Sequence, residues 1–295
     1  MRDKMKKRWK AIMMEIREHK SSFMVYVVLR MLVILVMVLQ IFNRNYENVF
    51  YCVLTLLLLI IPSFLQVQLK IELPTTLEII ILLFIFAAEI MGEIGSYYTK
   101  FPYWDTMLHT MNGFLAAAIG FSLVDILNED SRVKLNLSPL FVAIVAFCFS
   151  MTIGVLWEFF ECGVDTFLGM DMQKDTIIHN INTVMLDPTG GTTVYHIRDI
   201  EDVMIHGKSL GLGGYLDIGL LDTMKDLFVN FIGAVVFSVV GYFYVKHRGK
   251  GRFAKRFIPR MKKKEADFLR IVEEEDAVIK EKEERGFGKS DRAKG

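Results

Sequence analysis

The sequence predicts an all-α fold, a polytopic bundle of about six membrane-spanning helices. Hydrophobic residues make up 53% of the 295-residue chain and the mean hydropathy is +0.35, which is far more apolar than a soluble domain requires. Six apolar runs each approach the roughly 20 residues that a helix needs to cross a bilayer core. Most connections between the runs are short, so consecutive helices are expected to pack as antiparallel neighbours.

The six runs lie near residues 23 to 42, 48 to 67, 76 to 98, 103 to 125, 139 to 165 and 219 to 245. No small-residue cleavage pattern follows the first run, which therefore reads as a retained anchor and not as a signal peptide. One long connection, residues 166 to 218, precedes the last run. It contains a turn signal from Asp187 to Gly191, followed by a candidate short strand at 192 to 197.

Lysine and arginine are concentrated at two flanks, although the formal net charge is only +1. Eight lie within residues 1 to 20 and ten within residues 246 to 264. Such clusters could contact nucleic acid, but beside apolar runs they are typical of cytoplasmic flanks that attract anionic membrane lipid. We therefore expect no nucleic-acid partner, a cell-membrane location, and both termini in the cytoplasm.

This orientation divides the chain into three parts. Residues 1–22 form a basic cytoplasmic segment, residues 23–245 a six-helix transmembrane domain, and residues 246–295 a charged cytoplasmic tail that is expected to be a solvated helix or disordered. The long connection 166–218 lies on the extracytoplasmic side. The short connection 126–138, with Arg132 and Lys134, lies inside.

Polar side chains occur inside four of the predicted helices, where charge is costly and therefore marks a candidate site. In each helix they recur at spacings of three or four residues, so each set lines one helix face. The sets are Glu89 and Glu93 in the third helix, Asp105, His109 and Asn112 in the fourth, Glu158, Glu161 and Asp165 in the fifth, and Asp222, Asp226 and Asn230 in the sixth.

The depth of these sets follows the direction of each helix. They lie late in the third and fifth helices, which run outward, and early in the fourth and sixth, which run inward. All four sets should therefore meet in the extracytoplasmic half of the bilayer, above apolar helix halves that form a floor. Near the helix ends, Asp105, Asp165 and Asp222 could equally serve as caps. Capping does not explain the deeper residues.

Eight carboxyl groups in this pocket face one histidine and one lysine, so they cannot all ionise in a low-dielectric environment. Either several are protonated or a cation is bound. A divalent metal would resolve the repulsion: carboxylates with an imidazole suit Zn²⁺, Mn²⁺ or Mg²⁺, and Ca²⁺ would use oxygen ligands alone. No cysteine lies at metal-ligand spacing.

The residues are assigned roles on this basis. The predicted metal ligands are His109, Glu158, Glu161 and Asp226. The predicted catalytic residues are Glu161 as general base, Asp105 and Asp222, and the remaining pocket residues are Glu89, Glu93, Asn112, Asp165 and Asn230.

Three motifs carry a resemblance to a known family. They are Trp104-Asp105-x-x-x-His109-x-x-x-Gly113, Trp157-Glu158-x-x-Glu161-x-x-x-Asp165 and Asp222-Thr223-x-x-Asp226-x-x-x-Asn230-x-x-Gly233. Over residues 85 to 240 the chain resembles the YjdF-type bacterial integral membrane proteins, a family classed as a domain of unknown function. It is similar, more distantly, to VanZ-like membrane proteins, a likeness that implies a cell-envelope role.

Three functions are compatible with these observations. The first is a metal-dependent membrane enzyme, or former enzyme, that acts at the outer leaflet on a lipid or lipid-linked envelope substrate. The second is a proton- or cation-coupled transporter that uses the same carboxylates, although neither an inverted repeat nor a second polar half-pathway is visible. The third is a structural or assembly protein whose polar cluster fixes helix packing.

Overall fold

Most of the chain is helical in the computed structural model, which describes residues 2–129, 137–247 and 256–291. The α-helices are α1 (Arg2–Glu18), α2 (Lys20–Phe42), α3 (Tyr46–Leu58), α4 (Ile61–Leu69), α5 (Thr75–Phe86), α6 (Tyr97–Lys100), α7 (Trp104–Glu129), α8 (Pro139–Leu168), α9 (Leu220–Lys246) and α10 (Phe268–Asp291). A π-helix (Ala87–Ile94) continues α5, and a 3₁₀ turn (Lys264–Ala266) precedes α10. Arg132 and Lys134 of the predicted inner connection, and residues 248–255 of the second basic flank, lie outside the described residues.

Within these ranges, five helical stretches are long and apolar enough to cross a membrane. They are α2, the continuous stretch Tyr46–Leu69, the first 22 residues of α7, α8 and α9. The fold class predicted from the sequence, an all-α polytopic membrane bundle, is therefore confirmed. In the second stretch α3 and α4 are separate helices, because Pro62 in the first turn of α4 cannot continue the preceding hydrogen-bond ladder.

The third predicted run has a different construction from the others. It consists of 12-residue α5 followed directly by the eight-residue π-helix, whose wider turns are marked by a bond from the Gly95 amide to the Ile90 carbonyl. π-helical segments occur mainly at functional sites. The role of this run as a sixth span stays a prediction.

Helices α7, α8 and α9 form the centre of the molecule. Residues 105, 112 and 121 of α7 contact residues 225, 230 and 241 of α9 in the same order, so these two helices run parallel. Residues 109, 113 and 120 of α7 contact residues 158, 150 and 149 of α8 in the reverse order. Helix α8 is therefore antiparallel to both.

Two glycines allow α7 and α9 to approach closely. Gly113 lies against the main chain of Asn230, and Gly233 lies against the main-chain carbonyl of Thr110. A methyl group at either position would overlap backbone atoms of the other helix. Small residues play this part generally in membrane helix pairs, where van der Waals packing replaces the hydrophobic effect.

An apolar layer fills the three-helix centre at one end. Phe121 and Phe237 are fully buried there together with Ala117, Val142 and Ala146. The Phe114 and Phe237 rings pack edge to face with centroids 5.0 Å apart. This layer is the floor that the sequence predicted beneath the polar residues.

The long connection before α9 contains short antiparallel strand pairs. Strand β2 (Ile177–Ile178) pairs with β7 (Tyr215–Leu216), β3 (Ile181–Thr183) with β4 (Tyr195–Ile197), and β5 (Met204–Ile205) with β6 (Lys208–Ser209). The candidate strand at 192 to 197 is therefore present as β4. The predicted turn is present too: the Gly190 amide donates to the Asp187 carbonyl, and hydrogen bonds led by that of the Thr189 hydroxyl lower the pKa of Asp187 to about 2.

The two termini meet at the end of the bundle that carries the apolar floor. Strand β1 (Ile71–Glu72) pairs with β8 (Arg260–Met261), and α1 packs on α4 and α10. Ion pairs join Lys7 to Asp276 and Lys10 to Glu275. The tail was expected to be a solvated helix or disordered, and its described part contains β8, a 3₁₀ turn and α10, which pack against the N-terminal segment.

A buried ion pair locks this terminal layer. Glu15 of α1 and Lys262, next to β8, pair with each other, and their side chains are only 2% and 3% exposed. The Lys262 amide also donates to the Lys70 carbonyl, which extends the β1–β8 pairing.

We expect Lys262→Met to destabilise the protein by about 3–5 kcal/mol, because it leaves the buried Glu15 carboxylate unpaired. The double variant Glu15→Met, Lys262→Met should be far less affected, since no buried charge remains. Lys10→Met is the matched control: its pair with Glu275 is more than half exposed, and its loss should barely change the stability. Thermal unfolding in mild detergent measures all three, and equal losses for Lys262→Met and Lys10→Met would contradict the assignment.

Candidate functional site

The helix directions bring polar residues to one level. Helices α7 and α9 both begin at the end where α8 finishes, so the first turns of α7 and α9 face the last turns of α8. Asp105 and His109 of α7, Glu158 of α8 and Asp226 of α9 meet there, and we call these four residues the acidic–histidine cluster.

His109 occupies the centre of this cluster. Its Nε2 atom lies 3.4 Å from Asp105 Oδ1 and 3.6 Å from Asp226 Oδ2, while its Nδ1 atom lies 3.9 Å from Glu158 Oε1. The imidazole is 11% exposed and the Asp226 side chain 2%. One donor atom each from Asp105, His109 and Asp226 lie within 4.8 Å of one another, the spacing of a group that can hold a metal ion.

Glu158 is the least compensated acid of the cluster. The residue is 4% exposed, and neither carboxyl oxygen makes a hydrogen bond of normal geometry with any described residue. Its polar neighbours Thr223 and Gln173 bond to each other over 2.5 Å. A buried carboxyl without a strong partner carries a large desolvation cost, so a further polar ligand would stabilise it.

Lys225 supplies positive charge to the cluster from α9. Its ammonium nitrogen lies 2.5 Å from Asp105 Oδ2, 3.6 Å from Asp222 Oδ1 and 3.8 Å from Asp226 Oδ1. The lysine side chain is nevertheless 44% exposed. It is therefore a counter-charge on a flexible arm that reaches the acids from the surface of the bundle.

Residues 171–176 of the long connection lie across the polar ends of the helices, and we call them the covering segment. Asp165, at the end of α8, accepts hydrogen bonds from the amides of Met172 (2.6 Å) and Gln173 (2.8 Å). Asp222 accepts one from the Lys174 amide at 2.9 Å. The two acids nearest the helix ends therefore hold the loop in place.

The π-helix forms a further wall of the pocket. Lys174 Nζ lies 3.2 Å from a carboxylate oxygen of Glu93, and this ion pair links the π-helix to the covering segment. Glu89 is 2% exposed and its Oε2 atom has no hydrogen-bond partner among the described residues. Tyr98, whose ring packs against Gly92, lies within electrostatic range of Glu89, Glu93, Asp105 and Glu161.

An amide pair closes the pocket from below. Asn112 Nδ2 donates to Asn230 Oδ1 at 3.0 Å, and Asn230 Nδ2 lies 3.6 Å from the Met151 sulfur. Gly154 of α8 leaves room for the Asn230 side chain, since a methyl group there would collide with it. Below this level the apolar floor begins.

The structure groups the predicted site residues differently from the sequence. His109 and Asp226 of the predicted ligand set converge with Asp105, which was assigned a catalytic role, while Glu158 approaches the other imidazole nitrogen. Glu161 instead accepts a hydrogen bond from Trp157 Nε1 of its own helix at 2.8 Å. The catalytic and ligand roles of all these residues stay predictions.

Sequence reasoning missed the residues of the covering segment. Lys174 and Gln173 lie in a loop outside the apolar runs, and no spacing relates them to the helices they contact. Tyr98, whose ring packs on the π-helix, was also outside the predicted site. The loop histidines His179 and His196 bond to other loop residues, Ile200 and Asn182.

Comparison with known proteins identifies one family. A family model described as a predicted membrane protein (DUF2238) matches residues 24–247, which include every residue of the site above. No curated protein and no solved structure matches the chain significantly. The match agrees with the resemblance to YjdF-type proteins, whereas the VanZ-like resemblance stays a prediction.

We expect Asp165→Ala to release the covering segment, because two amide-to-carboxylate hydrogen bonds, each contributing about 1.5–3 kcal/mol, are lost. Tryptic cleavage after Lys174 in the folded protein should accelerate about tenfold or more. Asp187→Ala is the matched control, since it removes a similar set of amide bonds from a distant turn and should leave that rate unchanged. Equal cleavage rates in the wild-type and Asp165→Ala proteins would show that Asp165 does not hold the segment.

Proposed function

The chain belongs to the DUF2238 family of predicted membrane proteins, and from the geometry of its acidic–histidine cluster we propose that this cluster binds a divalent metal ion within the membrane domain. The metal serves hydrolysis or group transfer on a lipid or lipid-linked substrate at the extracytoplasmic side. Asp105, His109 and Asp226 are the proposed ligands.

One observation carries the proposal. A tetrahedral metal with bonds near 2.1 Å separates neighbouring ligand atoms by about 3.4 Å. His109 Nε2 lies 3.4 Å from Asp105 Oδ1 and 3.6 Å from Asp226 Oδ2. These donors come from two helices that are held in register by the Gly113 and Gly233 contacts, so little movement would be needed to bind the ion.

The residues around the ligands also support a metal site. Glu158 faces Nδ1 of His109, the arrangement in which a carboxylate orients a metal-bound imidazole. In a low-dielectric pocket two neighbouring carboxylates repel each other, so they move apart or one takes up a proton. A dication between Asp105 and Asp226 would compensate both negative charges. Two carboxylates and one imidazole suit Zn²⁺ or Mn²⁺.

When bound, the metal would polarise an ester or phosphoryl oxygen or activate a water molecule. The chain's own groups then position and transfer protons. Glu161, which is 8% exposed and held by Trp157, is the proposed general base. Glu158, 3.9 Å from Nδ1, is the proposed residue that would orient the ring of His109 in the metal-bound state. The covering segment limits the access of water to these groups.

We expect wild-type protein purified in detergent to contain close to one Zn²⁺ or Mn²⁺ ion per chain by elemental analysis. His109→Ala should contain almost none, and Glu158→Gln should bind the metal about 10–100-fold more weakly, because it loses the carboxylate that orients His109. His247→Ala is the matched control: this histidine lies at the far end of α9, and its loss should leave the metal content unchanged.

Other outcomes would replace the proposal. Equal metal contents in wild-type and His109→Ala protein would exclude the site. Proteoliposome flux of protons or cations that Asp226→Asn abolishes would favour the transporter. Loss of folding in His109→Ala, without metal in either protein, would favour a structural role for the cluster.

We expect Lys225→Met to bind metal about tenfold more tightly than wild type. The ammonium competes with the ion for the same acids. Tenfold corresponds to about 1.4 kcal/mol, a fraction of the roughly 4 kcal/mol by which two charges 4 Å apart near a protein surface interact before solvent screening of the half-exposed lysine reduces it. Lys225→Arg keeps the charge and should bind like wild type. Competition titration with a fluorescent chelator measures the affinity, and weaker binding by Lys225→Met would make the lysine a partner of the site instead of a competitor.

A further inference from the structure

An apolar groove of ≈ 440 Å³ runs along the side of the α7–α9 pair. Its walls include Tyr103, just before α7, and Met107, Thr110 and Phe114 of α7, spaced four, three and four residues apart, and on α9 they include Gly233 and Val236. Gly233 lines the groove at the point where the two helices pack most closely. Because both helices are membrane spans, hydrocarbon of the bilayer surrounds this surface.

The length of the groove matches one lipid leaflet. Eleven residues separate Tyr103 from Phe114, which corresponds to about 16 Å along an α-helix. Half of a hydrocarbon core of about 30 Å is about 15 Å. The groove therefore spans the depth that a single acyl chain occupies.

Lys225 lies near the level of the outer end of the groove. Helices α7 and α9 are parallel and in register, so Tyr103 lies near the level at which Asp105 pairs with Lys225. Lys225 precedes Gly233 by eight residues and Val236 by eleven, a spacing that places all three on one side of α9. The ammonium is 2.5 Å from Asp105, yet its side chain is 44% exposed, so it can reach both the acids and the groove mouth.

We propose that this groove binds one acyl chain of a phospholipid whose phosphate is recognised by Lys225. An ammonium binds phosphate as a point charge, and an acyl chain fills an apolar slot of leaflet depth. A phospholipid bound in this way has its phosphate ester beside Asp105 and Asp226. The inference rests on the proposed function only in making this lipid the substrate; lipid binding itself needs no metal.

Lys225 links the proposed metal site to the proposed lipid groove. A metal ion held by Asp105 and Asp226 would repel the ammonium, which then becomes available to a phosphate at the groove mouth. Metal and anionic lipid are therefore expected to bind together more tightly than either binds alone.

The test uses full-length protein in nanodiscs of phosphatidylcholine and phosphatidylglycerol, with a trace of either lipid carrying a photoreactive group in its acyl chain. We expect cross-links on the α7 segment 103–114 and around residue 236. Val236→Phe, which fills the groove, should remove most of them. Val239→Phe is the matched control, since Val236 and Val239 are equally exposed on α9 (50% and 49%) and only Val236 lines the groove.

The recognition of the lipid headgroup is tested by removing the positive charge of Lys225. Lys225→Met should lower the preference for phosphatidylglycerol over phosphatidylcholine about fivefold, the effect of one basic residue near a membrane surface. Lys208→Met removes an exposed lysine of the loop and should leave that preference unchanged.

If Val236→Phe and Val239→Phe reduce the cross-linking equally, or neither reduces it, the cross-links report only general lipid contact. This result would overturn the proposal. Unchanged lipid preference in Lys225→Met would overturn the assignment of the headgroup. Metal content is measured on the same samples. Specific cross-linking in protein that contains no metal would support lipid binding in the groove and contradict the metal-dependent function. Metal in protein that shows no specific cross-linking would support the metal site and contradict lipid binding in the groove.

Discussion

Compensation of buried negative charge is the constraint on which the rest of this structure depends. The chain places Asp105, Glu158, Glu161 and Asp226 among apolar helices, where an isolated carboxylate would be prohibitively costly. Several nearby donors reduce that cost. Lys225 reaches three acids, Lys174 reaches Glu93, the Trp157 indole donates to Glu161, and backbone amides of the covering segment donate to Asp165 and Asp222.

Compensation remains incomplete at several buried carboxyl groups, two of them glutamates of the site. Glu158 and Glu89 are almost fully buried, yet carboxyl oxygens of both lack hydrogen-bond partners among the described residues. Buried carboxyl oxygens without a protein partner usually bind a ligand or an ordered water molecule, or they have a functional role. The incomplete compensation lies beside the donors of His109, which is why metal binding is the interpretation that accounts for most of the site.

The two ends of the bundle have different constructions. At the polar end, a loop segment held by carboxylate-to-amide bonds covers the acids, and a lysine on a flexible arm reaches them from the side. At the opposite end, Phe121 and Phe237 form a packed floor, and the Glu15–Lys262 pair fixes the termini to each other. This asymmetry favours access to the site from one side of the membrane, and it agrees better with a binding or catalytic pocket than with a continuous path.

Periodicity and length determined the fold class, the approximate apolar runs and the level at which the polar sets meet. These properties follow from repeats within single helices: the spacing of Asp105, His109 and Asn112 places them on one face whatever that face contacts. The turn at Asp187 and the strand after it are local in the same sense.

Tertiary structure alone decided which of these residues touch. The sequence grouped His109 with Glu158, Glu161 and Asp226. Asp105 contacts the imidazole from one turn away on α7, and Glu161 bonds to Trp157 one turn away on α8. Asp226, in contrast, reaches the imidazole only through the register of α7 against α9. That register depends on the close contacts at Gly113 and Gly233. Lys174 lies beside Glu93, 81 residues away along the chain, because the long connection folds back over the helix ends, and no local pattern records a contact of that kind.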